Sequence, residues 1–158
     1  MSNQKYSDVI LISSDNIHVG SYRSVLANSS KIFERIIDEA SESPVTINVE
    51  NYNAEIIKAA LNFLYDKNDA INGKEIDVFK FGVEYGIQDI MDACCSCFEK
   101  SVDSTNVCEY IQIAYLNNFE ELKKKCLKIL IEKKKEIDAS NKLANLPSNI
   151  ILDAFRLM

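Results

Sequence analysis

The side chains best suited to chemistry are five cysteines in the second half of the chain and one histidine in the first. Cys94-x-x-Cys97 has a spacing used by zinc sites and dithiol motifs, and Cys95, Cys108 and Cys126 lie within reach in sequence. Zinc needs four ligands, however, and there is neither a second pair at ligand spacing nor a histidine nearer than His18. An odd cysteine count also fails to make a disulfide framework. Ile87, Ile90, Met91, Cys94 and Phe98 step by three or four, which predicts a helix face with cysteine as a small core hydrophobe. A nucleophile needs a base beside it, and His18 stands in no nucleophile motif; it is read as a partly exposed hairpin residue. Gly73, Gly82 and Gly86 are isolated, so no glycine loop cradles a phosphate. Asp38, Glu39 and Glu42 sit in a loop, where solvated charge is the default. Lys123–Lys125 and Lys133–Lys135 interleave with Glu120, Glu121, Glu132 and Glu136, which predicts a solvated helix face with paired charges. A net charge of −6 argues against a grip on nucleic acid. The expectation is a chain with no enzyme activity, no cofactor, no metal, and no small-molecule substrate.

The elements that position these residues follow from periodicity. Residues 8–12, DVILI, form a buried strand, Ser13 to Asn16 a turn, and Ile17 with Val19 a second strand, giving a hairpin. Tyr22 to Ile37 is a bent helical unit: a short apolar run, a Ser/Asn break, then Ile32, Phe33, Ile36 and Ile37 on one face with Ser29 or Ser30 as cap. Val45, Ile47 and Val49 alternate as a half-buried strand. Asn53 caps a helix through Ile56, Ile57, Ala60, Leu61 and Leu64, and a short extended piece is expected around Ala70 and Ile71. Ile76, Phe79 and Val83 mark a helix between Gly73 and Gly86, followed by the cysteine-bearing one. Asp103 or Ser104 caps a helix carrying Val107, Tyr110, Ile111 and Ala114, which Asn117 and Asn118 end. Phe119, Leu122, Cys126, Ile129 and Leu130 define the next, and Ser148 caps a last one through Ile151, Leu152 and Phe155. This order is an α+β domain with a helical extension. No apolar run reaches a membrane span and no signal-peptide pattern opens the chain, so a cytoplasmic and/or nuclear setting without membrane contact is expected.

Together these pieces resemble the BTB/POZ domain over residues 6–101. Asp8-Val9-Ile10-Leu11-Ile12 is similar to its first strand, and Val19, Tyr22 to Ala27, Ser30 and Phe33 to its central helical signature. Val45-Thr46-Ile47 is similar to the third strand, Leu61 to Tyr65 to the helix ending in a tyrosine, and Phe79 to Tyr85 to the helix beyond. Tyr22 stands where the family usually has histidine. Residues 104–158 resemble the helical 3-box, or the start of the BACK extension, found after this domain in MATH-BTB adaptors of cullin-3 ubiquitin ligases. The resemblance implies a BTB/POZ domain at 1–103, with a small three-stranded sheet flanked by helices, and a 3-box/BACK-like extension at 104–158.

It also implies an adaptor that grips the N-terminal domain of cullin-3 through the BTB face and the extension. Ala40, Ser41, Glu42 and Phe155 are the candidate contacts. The family pattern at the loop is a large apolar residue, any residue, then glutamate; Ala40-Ser41-Glu42 is the positional match and puts alanine at the anchor. Ile37-Asp38-Glu39 fits by composition, with Ile37 assigned to the core. Asp8 and Arg23 match the charged pair of the BTB core, either a satisfied structural pair or part of a partner groove. The family's leading dimerisation helix has no counterpart in Met1 to Ser7, so a weak homodimer or a monomer is expected. No stretch resembles a substrate-selecting domain. The alternative is therefore a non-ligase oligomerisation or scaffold module, or a decoy that occupies cullin.

Overall fold

A computed structural model describes residues 6–66, 69–139 and 143–157 of the 158-residue chain. These residues divide into two compact units, one ending at Cys94 and one beginning at Cys95. The first unit is built on a three-stranded sheet. Strand β1 (Val9–Ile12) buries Val9 and Leu11 completely. Asn16 turns the chain in the left-handed region (φ 60°), which asparagine tolerates. Strand β2 (His18–Ser21) then pairs antiparallel with β1, Val9 opposite Ser21 and Ile12 opposite His18. The strand starts one residue later than the alternation of Ile17 and Val19 suggests. The Ile17 carbonyl and N–H are both claimed by Ser13, so Ile17 closes the turn instead.

Helices α1 (Arg23–Ser29) and α2 (Lys31–Glu39) meet at Ser30, whose extended backbone makes the bend. The buried Ser30 hydroxyl oxygen accepts from the Phe33 N–H at 3.1 Å, and its O–H donates to the Tyr85 carbonyl. Phe33 stacks on Tyr85 with centroids 4.5 Å apart, and Phe33 and Ile37 fill the core. The four apolar residues of α2 do not share one buried face. Ile32 and Ile36 lie one residue, about 100°, around the helix from that pair; Ile32 is 39% exposed and Ile36 half-buried. Strand β3 (Val45–Asn48) follows a cis Ser43–Pro44 bond and pairs parallel to β1, Leu11 opposite Ile47. The sheet order is β2-β1-β3, with α1 and α2 as the crossover that a parallel pair requires.

Helix α3 (Ala54–Leu64) is capped twice. Asn53 accepts from the Ile56 N–H and Asp15, in the hairpin turn, from the Ala54 N–H, each at 3.0 Å. At its other end the Tyr65 hydroxyl meets the Ser21 hydroxyl at 2.9 Å. The extended piece expected at Ala70 and Ile71 is absent: the chain turns there, driving Ile71 into the core. Helix α4 (Glu75–Glu84) lies between Gly73 and Gly86, both at positive φ. Its buried face is Val78, Phe79, Phe81 and Gly82, rotated from the expected Ile76, Phe79 and Val83 stripe. The rotation sets Gly82 against Ile90 of α5 (Gln88–Ser101), the approach that a bare α-carbon permits. Ile87, Ile90 and Cys94 are fully buried in this unit.

The second unit is helical. Asp103 accepts from the Thr105 N–H at 2.8 Å and the Asn106 N–H at 3.3 Å, fixing a turn before α6 (Val107–Asn117) rather than capping the helix itself. Asn118, left-handed at φ 57°, ends α6. Helix α7 (Glu120–Glu132) follows, then α8 (Lys134–Ala139), a 3-10 turn at Leu143–Asn145 and α9 (Ser148–Leu157). Ser148 is inside α9, whose first carbonyl acceptor is Pro147. Val107, Ile111, Ala114, Leu122, Cys126 and Leu130 make the core of α6 and α7. Cys94, Cys108 and Cys126 are buried, Cys95 and Cys97 half-buried. Burial, with the Cys108 and Cys95 thiols beside it, pushes the Cys126 thiol up to about 12.

Candidate interaction surfaces

The acidic loop leaves α2 at Ala40, where the backbone turns extended while the Ala40 N–H still donates to the Ile37 carbonyl at 3.2 Å. Ala40 is half-buried, and Ser41 and Glu42 are exposed. Ile37 is buried, as its assignment to the core requires. The Glu42 carboxylate turns back to accept from the Thr46 N–H at 3.4 Å, a contact to its own strand that spacing alone does not reveal. Beside the loop, Ile32 and Ile36 continue the line toward Ala40 at four-residue steps. This apolar ridge on α2 was visible in the sequence only as part of the core-facing set.

Asp8 and Arg23 do come together. The Arg23 guanidinium Nε stands 3.9 Å from the Asp8 carboxylate, both side chains more than two-fifths exposed. The stronger contact is to the backbone: Asp8 accepts from the Arg23 N–H at 2.8 Å, holding the first turn of α1. The Asp8 carbonyl accepts from Val45 and its N–H donates to Ser21. One residue thereby joins all three strands to α1.

In the second unit, Phe155 projects from α9 with 59% of its surface exposed. It borders a groove of about 230 Å³ lined also by Leu130, Ile131, Leu143, Ala144, Ile151 and Ala154. Lys134 reaches over the Phe155 ring, its ammonium 5.8 Å from the centroid. The α9 helix is fixed to α6 by the Tyr115 hydroxyl, which donates to Asp153 at 2.6 Å; burial and that carboxylate raise the Tyr115 pKa. Leu152 and Leu157 are exposed as well. Helix α8 contributes Lys134 to this groove; no apolar periodicity announces that helix, whose segment is Lys- and Glu-rich, with Ile137 its one buried side chain among those described.

Other chemical prospects are less developed. His18 is exposed at the start of β2. The lysine runs pair along their own helices, Lys123 with Glu120 at 3.2 Å and Lys124 with Glu121 at 3.6 Å. Lys133 likewise pairs with Glu136 at 3.9 Å. Among the described residues no cluster of His, Cys, Asp or Glu is arranged to hold a metal ion, and no helix is long and apolar enough to cross a membrane. The exposed groups offer hydrogen bonds, carboxylates and apolar side chains to a macromolecular partner.

The family model of the BTB/POZ domain matches residues 1–102. Among similar proteins, a BTB/POZ domain-containing protein of Arabidopsis thaliana is 28% identical over 131 residues, covering 80% of this chain and 40% of the relative. A second from the same plant is 26% identical over 143 residues, covering 88% of this chain and 44% of the relative. BTB/POZ domain-containing protein 19 of Bos taurus is 26% identical over 112 residues, covering 68% of this chain and 38% of the relative. The chain thus spans less than half the length of these relatives.

Proposed function

The chain belongs to the BTB/POZ family, whose domains mediate protein–protein interaction and dimerisation, and from that membership we propose that it is a non-catalytic adaptor for the N-terminal domain of a cullin-3. The observation that carries the proposal is Phe155: a large ring left in water on α9, at the rim of an apolar groove in the extension that follows the family-matched domain. Buried aromatic anchors inside a polar rim carry most of the energy of such interfaces, and a helix laid into a groove is a recurrent mode. In this reading Ala40, Ser41 and Glu42 form the contact loop on the BTB domain at 1–103. Phe155 is the anchor on the 3-box-like extension at 104–158, and the protein works in the cytoplasm and/or nucleus.

Titrating the chain with a cullin-3 N-terminal domain in a calorimeter tests this. Binding is expected, with Phe155→Ala weakening it about tenfold or more and Glu42→Lys weakening it by less. No heat of binding at high micromolar protein removes the adaptor reading. Unchanged affinity in both variants shows that the contact lies elsewhere.

A second reading, assembly without ligase function, draws on the same loop. Ala40 is half-buried where a bulky anchor is wanted, and Glu42 is engaged by its own strand. The scaffold reading expects self-association, and the adaptor reading a weak homodimer at most. Light scattering across concentrations separates them, since a stable dimer at low micromolar protein supports the scaffold.

A further inference from the structure

We propose that the outer edge of β3 is a docking site for an extended, lysine- or arginine-bearing segment of a partner protein, which joins the sheet as a fourth strand. Among the described residues β3 has a strand neighbour on one side only, β1. The Val45 N–H donates to the Asp8 carbonyl at 3.0 Å and the Val49 N–H to the Ile12 carbonyl at 2.8 Å. Backbone groups alternate along a strand, so the Thr46 and Asn48 N–H groups are directed away from β1. The side chains of Thr46 and Asn48 are exposed, as are Ser43, Pro44 and Glu50 on either side. The Thr46 N–H is met by the Glu42 carboxylate at 3.4 Å, the long limit for a hydrogen bond. That exposed side chain is a loose cover, which a strand carbonyl at ordinary distance can displace.

Charge selects the occupant. From Asp38 through Ile57 the sequence contains Asp38, Glu39, Glu42, Glu50 and Glu55 and no lysine, arginine or histidine. Sheet edges are commonly guarded by lysine; this one carries none and is bracketed by Glu42 and Glu50. An incoming basic strand meets a carboxylate at each end, and Glu42, once displaced from Thr46, is placed to pair with it. A second copy of this chain is the wrong partner. Antiparallel self-pairing centred on Thr46 sets Glu42 of one copy against Glu50 of the other, and like charges opposed across a sheet destabilise it. Strand addition takes its affinity from main-chain hydrogen bonds and its selectivity from alternate side chains.

The inference does not rest on cullin binding, and the chain is tested for it with no cullin present. The probe is a capped seven-residue peptide alternating lysine with threonine and valine, and its control is the same peptide N-methylated at every residue, which blocks both of its edges. Amide exchange followed by NMR is expected to slow at least about tenfold at Thr46 and Asn48 when the probe is added. Val45 and Val49, already bonded to β1, should not change. The N-methylated peptide and Glu50→Lys should each reduce the effect severalfold, and Thr46→Pro, an edge position that accepts proline, should abolish the protection read at Asn48. If Thr46→Pro does not fold, the N-methylated peptide decides. Equal protection by both peptides, or none at millimolar probe, overturns the proposal. Protection that grows with protein concentration alone overturns the choice of partner in favour of a second copy.

Discussion

Gly82 gives the sharpest test of how the first unit is packed. In the middle of an exposed helix, Gly→Ala stabilises by about 1 kcal/mol, because alanine loses less backbone freedom and covers the backbone. Gly82 is buried in α4, and a β-carbon added there meets Ile90 Cγ2 at 2.8 Å and Ile90 Cβ at 3.2 Å. That methyl cannot swing aside cheaply: it sits on the β-carbon of a β-branched residue in a helix, where χ1 has one strongly preferred well. Ile90 is itself fully buried, so the strain passes to the core. Overpacking of this kind costs about 1–3 kcal/mol, which outweighs the propensity gain and leaves Gly82→Ala about 1 kcal/mol less stable.

Urea denaturation should show this as a lower midpoint with unchanged slope. The companion variant Ile90→Leu moves the branch out by one carbon and by itself should cost less than about 1.5 kcal/mol. Combined with Gly82→Ala it should recover part of the loss, a coupling of about 1 kcal/mol in a double-mutant cycle. If Gly82→Ala is instead stabilising by the full helix-propensity amount, α4 and α5 are not in the contact described.

Ser30→Ala removes both the cap of α2 and the donor to Tyr85 at a buried site, and should cost about 1–2 kcal/mol in the same denaturation assay; an unchanged midpoint contradicts the two hydrogen bonds. The Ser13 hydroxyl and the Ala54 N–H hold the Asp15 carboxyl below its ordinary range. Its contribution is therefore complete above about pH 4 and is lost as pH falls through the lower folded-state value. Asp15→Asn should accordingly show a shallower loss of stability across that acid range. The Cys126 thiol, buried and pushed up to about 12, should resist alkylation at neutral pH while the protein is folded. Mass spectrometry after brief iodoacetamide treatment should find Cys95 and Cys97 modified first, and early labelling at Cys126 would contradict its burial.

The α+β order, the hairpin, the bend at the Ser29–Ser30 break and the cap at Asn53 were legible because each is written in local chemistry: alternation, a hydroxyl before an apolar run, an amide before a helix. Which serine caps is decided by the structure, Ser30. What escaped depends on partners distant in sequence. Periodicity groups Ile32 with Phe33, and it is Phe81 and Tyr85, arriving about fifty residues later, that cover Phe33. The face of α4 turns on the contact of Gly82 with Ile90, and α8 is held by one isoleucine in a charged segment. Of the candidate contacts, the Asp8 and Arg23 side chains stand 3.9 Å apart, and the backbone N–H of Arg23 is the closer partner at 2.8 Å. Phe155 was legible as an apolar residue of the last helix; the groove beside it is assembled from α7, the Leu143–Asn145 turn and α9, which local periodicity does not bring together. Glu42 was legible as a loop carboxylate, whereas its reach to Thr46 depends on how the loop enters β3.

The parallel pairing of β1 with β3 also bears on the order in which the sheet assembles. The hairpin partners Ile12 and His18 are six residues apart, whereas Val9 and Val45 are separated by thirty-six, with two helices between. Hairpins of this size close in about microseconds, but contacts across long separations wait on the loss of chain entropy. Strand β3 is therefore expected to pair later than the hairpin, once the chain through α1 and α2 has brought its start back beside Asp8. Until then β1 presents a bare apolar edge, Val9 to Ile12, of the kind that recruits other chains. On a ribosome that interval lasts until Asn48 has emerged. The length of the crossover thus bears on how long this apolar strand stays uncovered.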